Sequence, residues 1–273
     1  MGRFGGFLGR GGGETGDGRD VVATPARAPD AIASTVARSS ARAAAIAGPK
    51  VANIAIALDA TGSMAGLLDA AKSSLGEIMR RVAAEAGRPV VIRIFAYRDY
   101  DVPEHLLARS PVSDRPDELV AWLRGVHPIG GGGNDGEAVE VALAHIADEG
   151  GYRAVLLAGD EPSNARRHID KYGRRETPTA LEIARTLGGA GCPVHALVVG
   201  NAPATVRDFG RIAEAAGGRV GRLNGSAEMT DLAVLAILSA LKGVAGVRAY
   251  MEGHELGADA RAFGALLLGG PSR

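Results

Sequence analysis

Val51-Ala52-Asn53-Ile54-Ala55-Ile56-Ala57-Leu58-Asp59-Ala60-Thr61-Gly62-Ser63 is the stretch from which the rest of the chain can be read. Its first eight residues are an apolar run of strand length, the pattern of a buried strand. A carboxylate and two hydroxyls (Asp59, Thr61, Ser63) then leave the C-terminal end of that strand at every second residue. In open α/β sheets this edge is where ligands bind. Donors that are all oxygen suit a hard divalent cation such as Mg²⁺. The same side chains would also serve as caps for a helix opening near Met64, because Asp and Thr satisfy free N–H groups at a helix start.

Composition narrows the class. The 273 residues suffice for one large α/β domain with appendages, and 46% of them are hydrophobic, enough for a substantial core. Formal net charge is zero, so no global field favours nucleic acid or an anionic membrane. Lysine occurs only at positions 50, 72, 171 and 242, and arginine supplies the other basic groups. Cys192 is the sole cysteine, which excludes an intrachain disulfide and a cysteine cluster for zinc. Beside the apolar run 193–199 it reads as a buried, inert thiol. Residues 1–30 hold no apolar signal core, and no segment approaches eighteen uninterrupted apolar residues. The expectation is a cytoplasmic protein with no membrane span.

From residue 51 onward, apolar runs alternate with helical patterns. Strands are predicted at 51–58, 89–97, 153–158, 193–199 and 219–223. Helices are predicted at 64–86, 115–126, 137–147, 177–190, 203–216 and 229–244. Such alternation implies a doubly wound, mostly parallel α/β sheet with helices on both faces and right-handed connections. Residues 1–49 read as a tail, disordered over the Gly- and Arg-rich start, with a short Ala-rich helix or a solvated linker before Gly48-Pro49. The domain proper spans 50–246, and 247–273 forms a C-terminal extension in which 260–268 has the pattern of one amphipathic helix.

Three loops on the ligand edge carry oxygen donors. The first holds Asp59, Thr61 and Ser63. The second is the glycine loop Gly130-Gly131-Gly132-Gly133-Asn134-Asp135-Gly136-Glu137, and the third holds Asp160, directly after the apolar run 155–159. Mg²⁺ prefers near-octahedral oxygen ligation and keeps several waters. Two hydroxyls, two carboxylates and a donor from the glycine loop would supply that and leave a position open. Two unpaired carboxylates placed close together repel, and a bound cation relieves them.

At this point four segments show a resemblance. Asp59-Ala60-Thr61-Gly62-Ser63-Met64 resembles the Asp-x-Ser/Thr-x-Ser opening of the metal-ion-dependent adhesion site in von Willebrand factor type A (VWA) domains. Phe95-Ala96-Tyr97-Arg98-Asp99-Tyr100-Asp101 resembles the Tyr-Arg-Asp segment of one branch, of bacterial type. Gly131-Gly132-Gly133-Asn134-Asp135-Gly136-Glu137 is similar to the Gly-Gly-Gly-Asp-x-Pro-Glu loop of that branch, and Ala158-Gly159-Asp160-Glu161-Pro162 to the last metal motif of the family. Their order and spacing agree, and together they cover residues 52–241. The resemblance implies that Thr61 and Ser63 bind a cation directly, and that Asp59 and Asp160 bind it directly or through water. Mg²⁺ is the expected ion, with Mn²⁺ or Ca²⁺ as substitutes. Asn134 stands where the family has Asp. It can offer a neutral carbonyl oxygen, and Asp135 beside it can take its place. The implied partner is another protein offering a carboxylate. Members of this kind work beside AAA+ ATPases or in stress-response assemblies.

Two other functions compete. One is a metal-free structural scaffold, which the Asn134 departure allows. The other is a haloacid-dehalogenase-like phosphohydrolase with Asp59 as nucleophile. Against it, Thr61 stands where most such enzymes place a second Asp, and no Lys lies between Lys72 and Lys171. The expectation is a binding module that is not an enzyme. Gly130–Gly133 lacks the Lys-Ser/Thr of a nucleotide P-loop. Arg98 is expected to steer an acidic partner or, more in keeping with its neighbours, to pair with Asp99 or Asp101. His195, inside an apolar strand pattern, is expected in the core. Arg166-Arg167-His168 with Arg174-Arg175 reads as a solvated loop, or as a basic rim beside the cation.

Overall fold

Strand β1 (Ala52–Asp59) lies at the centre of a six-stranded sheet, flanked by β2 (Val90–Tyr97) and β4 (Ala154–Gly159). Beyond β2 lies β3 (Leu107–Arg109); beyond β4 come β5 (Val194–Val199) and β6 (Val220–Leu223). The order is β3-β2-β1-β4-β5-β6. All pairings are parallel except β2 with β3. The computed structural model describes residues 51–131, 136–173 and 176–269. The reading of 1–49 as a tail falls outside them, as do Asn134 and Asp135. The doubly wound, mostly parallel α/β architecture is the one expected from the sequence.

Chain direction explains where a ligand can bind. From β1 the chain moves outward through β2 to β3, then returns to the opposite side of β1 for β4. The connections after β1 and after β4 therefore diverge, and a crevice opens between their C-terminal ends. Register sets the two ends level: Leu58 pairs with Ala158, so Asp59 ends β1 beside Gly159 and Asp160 follows at once.

Side chains alternate across β1 as a pleated strand requires. Ile54, Ile56 and Leu58 join the core beneath α1 (Ala65–Ala86), α2 (Pro116–Arg124) and the C-terminal helices. Ala55 and Ala57 join the opposite core, under α3 (Val139–Glu149), α5 (Ala180–Gly189) and α6 (Pro203–Ala215). Helix α1 buries Leu67, Leu68, Leu75, Ile78, Met79 and Val82 along one stripe and ends at Gly87, whose φ of 64° is the left-handed conformation that stops helices. His195 on β5 is buried, as its setting predicted. Its Nδ1 accepts from the Arg219 amide at 3.2 Å, and Nε2 lies 2.9 Å from the Ser239 hydroxyl. Burial lowers its pKa to about 4. Cys192 is buried too.

Three elements depart from the sequence reading. The short antiparallel strand β3 was not anticipated; three residues give too brief a pattern to show alternation. Helix α4 (Arg166–Tyr172) takes up the first part of the stretch read as a basic loop, and buries only Ile169, while Arg174 and Arg175 lie outside the described residues. The last long helix, α7 (Met229–Gly253), runs well past residue 244, with a break at Gly243 (φ 63°, ψ −156°). Beyond the break Val247 and Tyr250 rejoin the core, followed by Leu256 and by Ala260 and Phe263 of α8 (Ala258–Leu267). The Tyr250 hydroxyl donates to Asp231 Oδ1 at 2.6 Å and accepts from Arg81 at 2.9 Å. By length and composition, Ser226–Gly253 is apolar enough to cross a membrane, but half of its most apolar window is buried inside the fold.

Candidate metal centre

Asp59 is completely buried, and Thr61 holds one of its oxygens twice. The Thr61 amide donates to Asp59 Oδ1 at 2.8 Å and the Thr61 hydroxyl at 2.7 Å. This local turn, in which a short carboxylate binds the backbone two residues on, competes with helix capping. No side chain caps the one-turn 3₁₀ helix Gly62–Met64 or the start of α1. The capping role therefore fails, because the hydroxyl of Thr61 points back to Asp59. Ser63 Oγ lies 3.4 Å from Thr61 Oγ1, and Ser63 is exposed.

The second oxygen of Asp59, Oδ2, is buried and has no hydrogen-bond partner. It lies over the end of β4: a β-carbon built on Gly159 would stand 3.2 Å from it and 2.6 Å from the Tyr97 hydroxyl. Asp160 follows immediately, and its Oδ1 is likewise buried without a partner. The Asp160 carbonyl accepts from the Thr205 hydroxyl at 2.7 Å, which ties this loop to α6. Burial pushes the Asp59 carboxyl up to about 7 against the two Thr61 hydrogen bonds, and the charges of Asp160 and Glu161 add to the rise.

The first residues of the glycine loop lie at the same place. Gly62 N donates to the Gly130 carbonyl and Ile129 N to the Ala60 carbonyl, both at 3.1 Å. Gly131 N donates to Asp101 Oδ2 at 3.1 Å. At the end of this loop Glu137 is buried, with Oε2 unpartnered. Its carboxyl is pushed up to about 9 by burial first and then by the charges of Asp59, Asp99, Asp160 and Asp101. Sequence reasoning quoted Glu137 inside a motif but gave it no role; an acid at the end of a glycine loop carries no signal of burial. Asn134 and Asp135, the expected donors from this loop, lie outside the described residues.

The Tyr-Arg-Asp segment supports the site from below. Arg98 forms no ion pair with Asp99 or Asp101. Its guanidinium is buried and donates to the His105 carbonyl at 2.8 Å and the His127 carbonyl at 2.7 Å, stapling two loops together. Burial holds its pKa below the usual arginine value. So buried a group does not steer a partner. Asp99 accepts from Asn164 Nδ2 at 2.7 Å, and the Tyr100 hydroxyl donates to the fully buried Glu140 at 2.9 Å. Desolvation raises the Glu140 pKa to about 8.

The structure thus brings Asp59, Thr61, Ser63 and Asp160 to one crevice, as expected. Two hydroxyls, one exposed, stand beside two carboxylates that each keep a buried, unanswered oxygen. That donor chemistry fits a hard divalent cation. Among the described residues no three His, Cys, Asp or Glu side chains gather into a ligand cage. Among the described residues, an ion here would draw on the hydroxyls as well as the two aspartates.

No family model matches the chain, and no curated protein matches it in sequence. Solved structures do. The pilus adhesin SpaC from Lactobacillus rhamnosus GG, in an open conformation, superposes with a TM-score of 0.51 at 15% identity, over 71% of this chain and 30% of that one. The conserved hypothetical protein BatB from Bacteroides thetaiotaomicron gives 0.47 at 18% identity, over 70% and 99%. The SpRpn10 VWA domain gives 0.45 at 11% identity, over 67% and 94%. At these identities the likeness is one of architecture.

Proposed function

We propose that this chain is a protein-binding module of VWA type whose binding depends on a divalent cation, Mg²⁺ or in its place Mn²⁺ or Ca²⁺. Asp59, Thr61, Ser63 and Asp160 would hold the ion, with a further donor from Asn134 or Asp135. A cation bound largely by neutral hydroxyls keeps the Lewis acidity to accept a carboxylate from a partner protein. The chain's own residues do the rest. Thr61 locks Asp59 in place, Arg98 and Gly130 fix the neighbouring loops, and the exposed Ser63 marks the face a partner would meet. One observation carries this reading: Asp59 Oδ2 and Asp160 Oδ1, both buried and both unpartnered, at the ends of adjacent strands on either side of the crevice. Buried carboxylate oxygens in well-made proteins find a donor or a metal.

The partner class, a protein with an exposed Asp or Glu, extends to AAA+ ATPases or stress-response assemblies on the strength of the motif resemblance. Capture from cell extract on immobilised full chain, in Mg²⁺ and again in EDTA, tests the reading. Partners should be retained in Mg²⁺, released by EDTA, and not retained by Asp59→Asn. A partner held equally in all three conditions overturns metal dependence and leaves a scaffold.

A further inference from the structure

We propose that the pocket between edge strand β3 and the C-terminal end of α2 binds a small organic carboxylate, with its acid group on Arg98 and its apolar body against Trp122. The site does not draw on the cation reading above. Strand β3 is the outermost on its side of the sheet, and a pocket of about 280 Å³ opens between it and α2. That volume sits near the small end of ligand pockets, about 300–1,000 Å³. Leu107 and Ala108 of β3 form one side and Trp122 and Val126 the other, so most of the lining is apolar. Glu104 and His105, both exposed, stand at its mouth.

Arg98 is the polar group inside the pocket. It is 4% exposed, and its guanidinium donates to the His105 and His127 carbonyls, both neutral acceptors. Its Nε is buried with no hydrogen-bond partner, and among the described residues Arg98 joins no ion pair. Glu104, out at the solvent edge, leaves that charge unanswered. The charge of Asp59 favours the ionised guanidinium, but loss of water outweighs it. Arginine stays charged in proteins, so the fold holds a buried positive group whose compensation is incomplete. A carboxylate supplies what is missing, a negative charge and planar acceptors that match a guanidinium. A neutral ligand of the same shape gains only the apolar contact. At this depth a free small molecule reaches the group, whereas the surface of a folded protein does not.

Trp122 is the only tryptophan of the chain, so its emission reports on the pocket directly. The full chain in EDTA is titrated with 3-phenylpropionate, with hexanoate, and with 3-phenylpropionamide, the uncharged counterpart of the first. Both acids should give a saturable change in Trp122 emission. The amide should bind about tenfold more weakly or worse, the loss expected when a charge-assisted hydrogen bond is removed. Ala108→Leu, which fills the pocket and leaves Arg98 in place, should weaken both acids by a similar factor. Arg98→Met should bring acid and amide to equal affinity. If a circular dichroism melt shows that variant unfolded through loss of its two carbonyl contacts, the acid–amide difference in the wild type and the response of Ala108→Leu decide. An amide that binds as tightly as its acid leaves only an apolar hole and overturns the proposal. So does an unchanged response in Ala108→Leu, which puts the acid elsewhere, or the lack of a saturable response to either acid at millimolar concentration.

Discussion

Thr61 gives both of its donors to a single oxygen of Asp59 and leaves the other oxygen of that carboxylate facing Gly159, buried and unanswered. The turn is therefore built before any ion arrives, and little ordering remains to be done on binding.

Asp59→Asn should remove the response to metal without removing the fold. The wild type should melt higher in Mg²⁺ or Mn²⁺, since a ligand at a hundred times its Kd adds about 2.7 kcal/mol to the folded state. The variant should show no such rise in scanning calorimetry at the same metal concentration. Equal behaviour of the two proteins at millimolar metal would remove the cation from this site.

Ser63→Ala separates binding from stability. Ser63 is exposed, and among the described residues its hydroxyl has one hydrogen-bonding neighbour, Thr61 Oγ1 at 3.4 Å. Urea unfolding of the variant should stay within about 0.5 kcal/mol of the wild type, while Mg²⁺-dependent partner capture weakens. Collapse of the circular dichroism melt would reassign Ser63 to a structural role.

The metal-free protein should lose stability as pH rises. The folded-state pKa of Asp59 is about 7, above its ordinary 3.8, and that of Glu140 is about 8, above 4.5. A raised pKa means that the folded state holds the proton more tightly, so its contribution is complete below about pH 4 and lost as pH climbs through the folded values. His195 has the opposite sign, lowered to about 4, and costs stability only as pH falls below its ordinary 6.5. The window from pH 6.5 to 8 thus isolates the carboxylates. Urea unfolding in EDTA should show stability falling across it, with a shallower fall in Asp59→Asn and in saturating Mg²⁺. A wild-type slope no steeper than that of the variant would count against a buried, unpaired Asp59.

Gly159→Ala should damage the site from the strand side. Its added methyl would stand 2.6 Å from the Tyr97 hydroxyl and 3.3 Å from Phe209 as well as near Asp59. Overpacking of this kind costs about 1–3 kcal/mol, and the Asp59 carboxylate must shift with it. Denaturant midpoint and Mn²⁺ affinity should fall together.

Phe263→Ala tests whether the C-terminal segment belongs to the core. Phe263 is buried, contacts Gly221 on β6, and stands edge-on to His195 with ring centroids 6.3 Å apart. Truncation should cost about 3–5 kcal/mol in equilibrium unfolding. A value near zero would make 247–269 a dispensable appendage.

Most of the architecture was legible because the signals are long. The run of seven apolar residues and Asn53 before Asp59 and the stripe along α1 need no tertiary information to be seen. The hydroxyl pair and both aspartates were legible because each follows a strand, and strand ends in such a sheet face one edge. What escaped depends on contacts between distant residues. Arg98 has Asp99 and Asp101 as acidic neighbours in sequence, yet its partners are carbonyls 7 and 29 residues away. Nothing local marks Glu137 as buried, because the groups that enclose it come from the loop after β4 and from Thr61. Strand β3 is too short for periodicity, and it exists because Phe95, Ala96 and Tyr97 offer it a ladder. The break at Gly243 hides in a run of small and apolar residues that reads equally well as helix on either side.

Helix α7 bears on how this chain is made. By length and composition the stretch 226–253 is apolar enough to cross a membrane, yet every strand of the sheet precedes it. During synthesis the platform that shelters it has already left the ribosome when Met229 emerges, so the interval in which this greasy rod stands bare is short. A circular permutant that moved α7 to the front would lengthen that interval, and chaperone demand should rise with it.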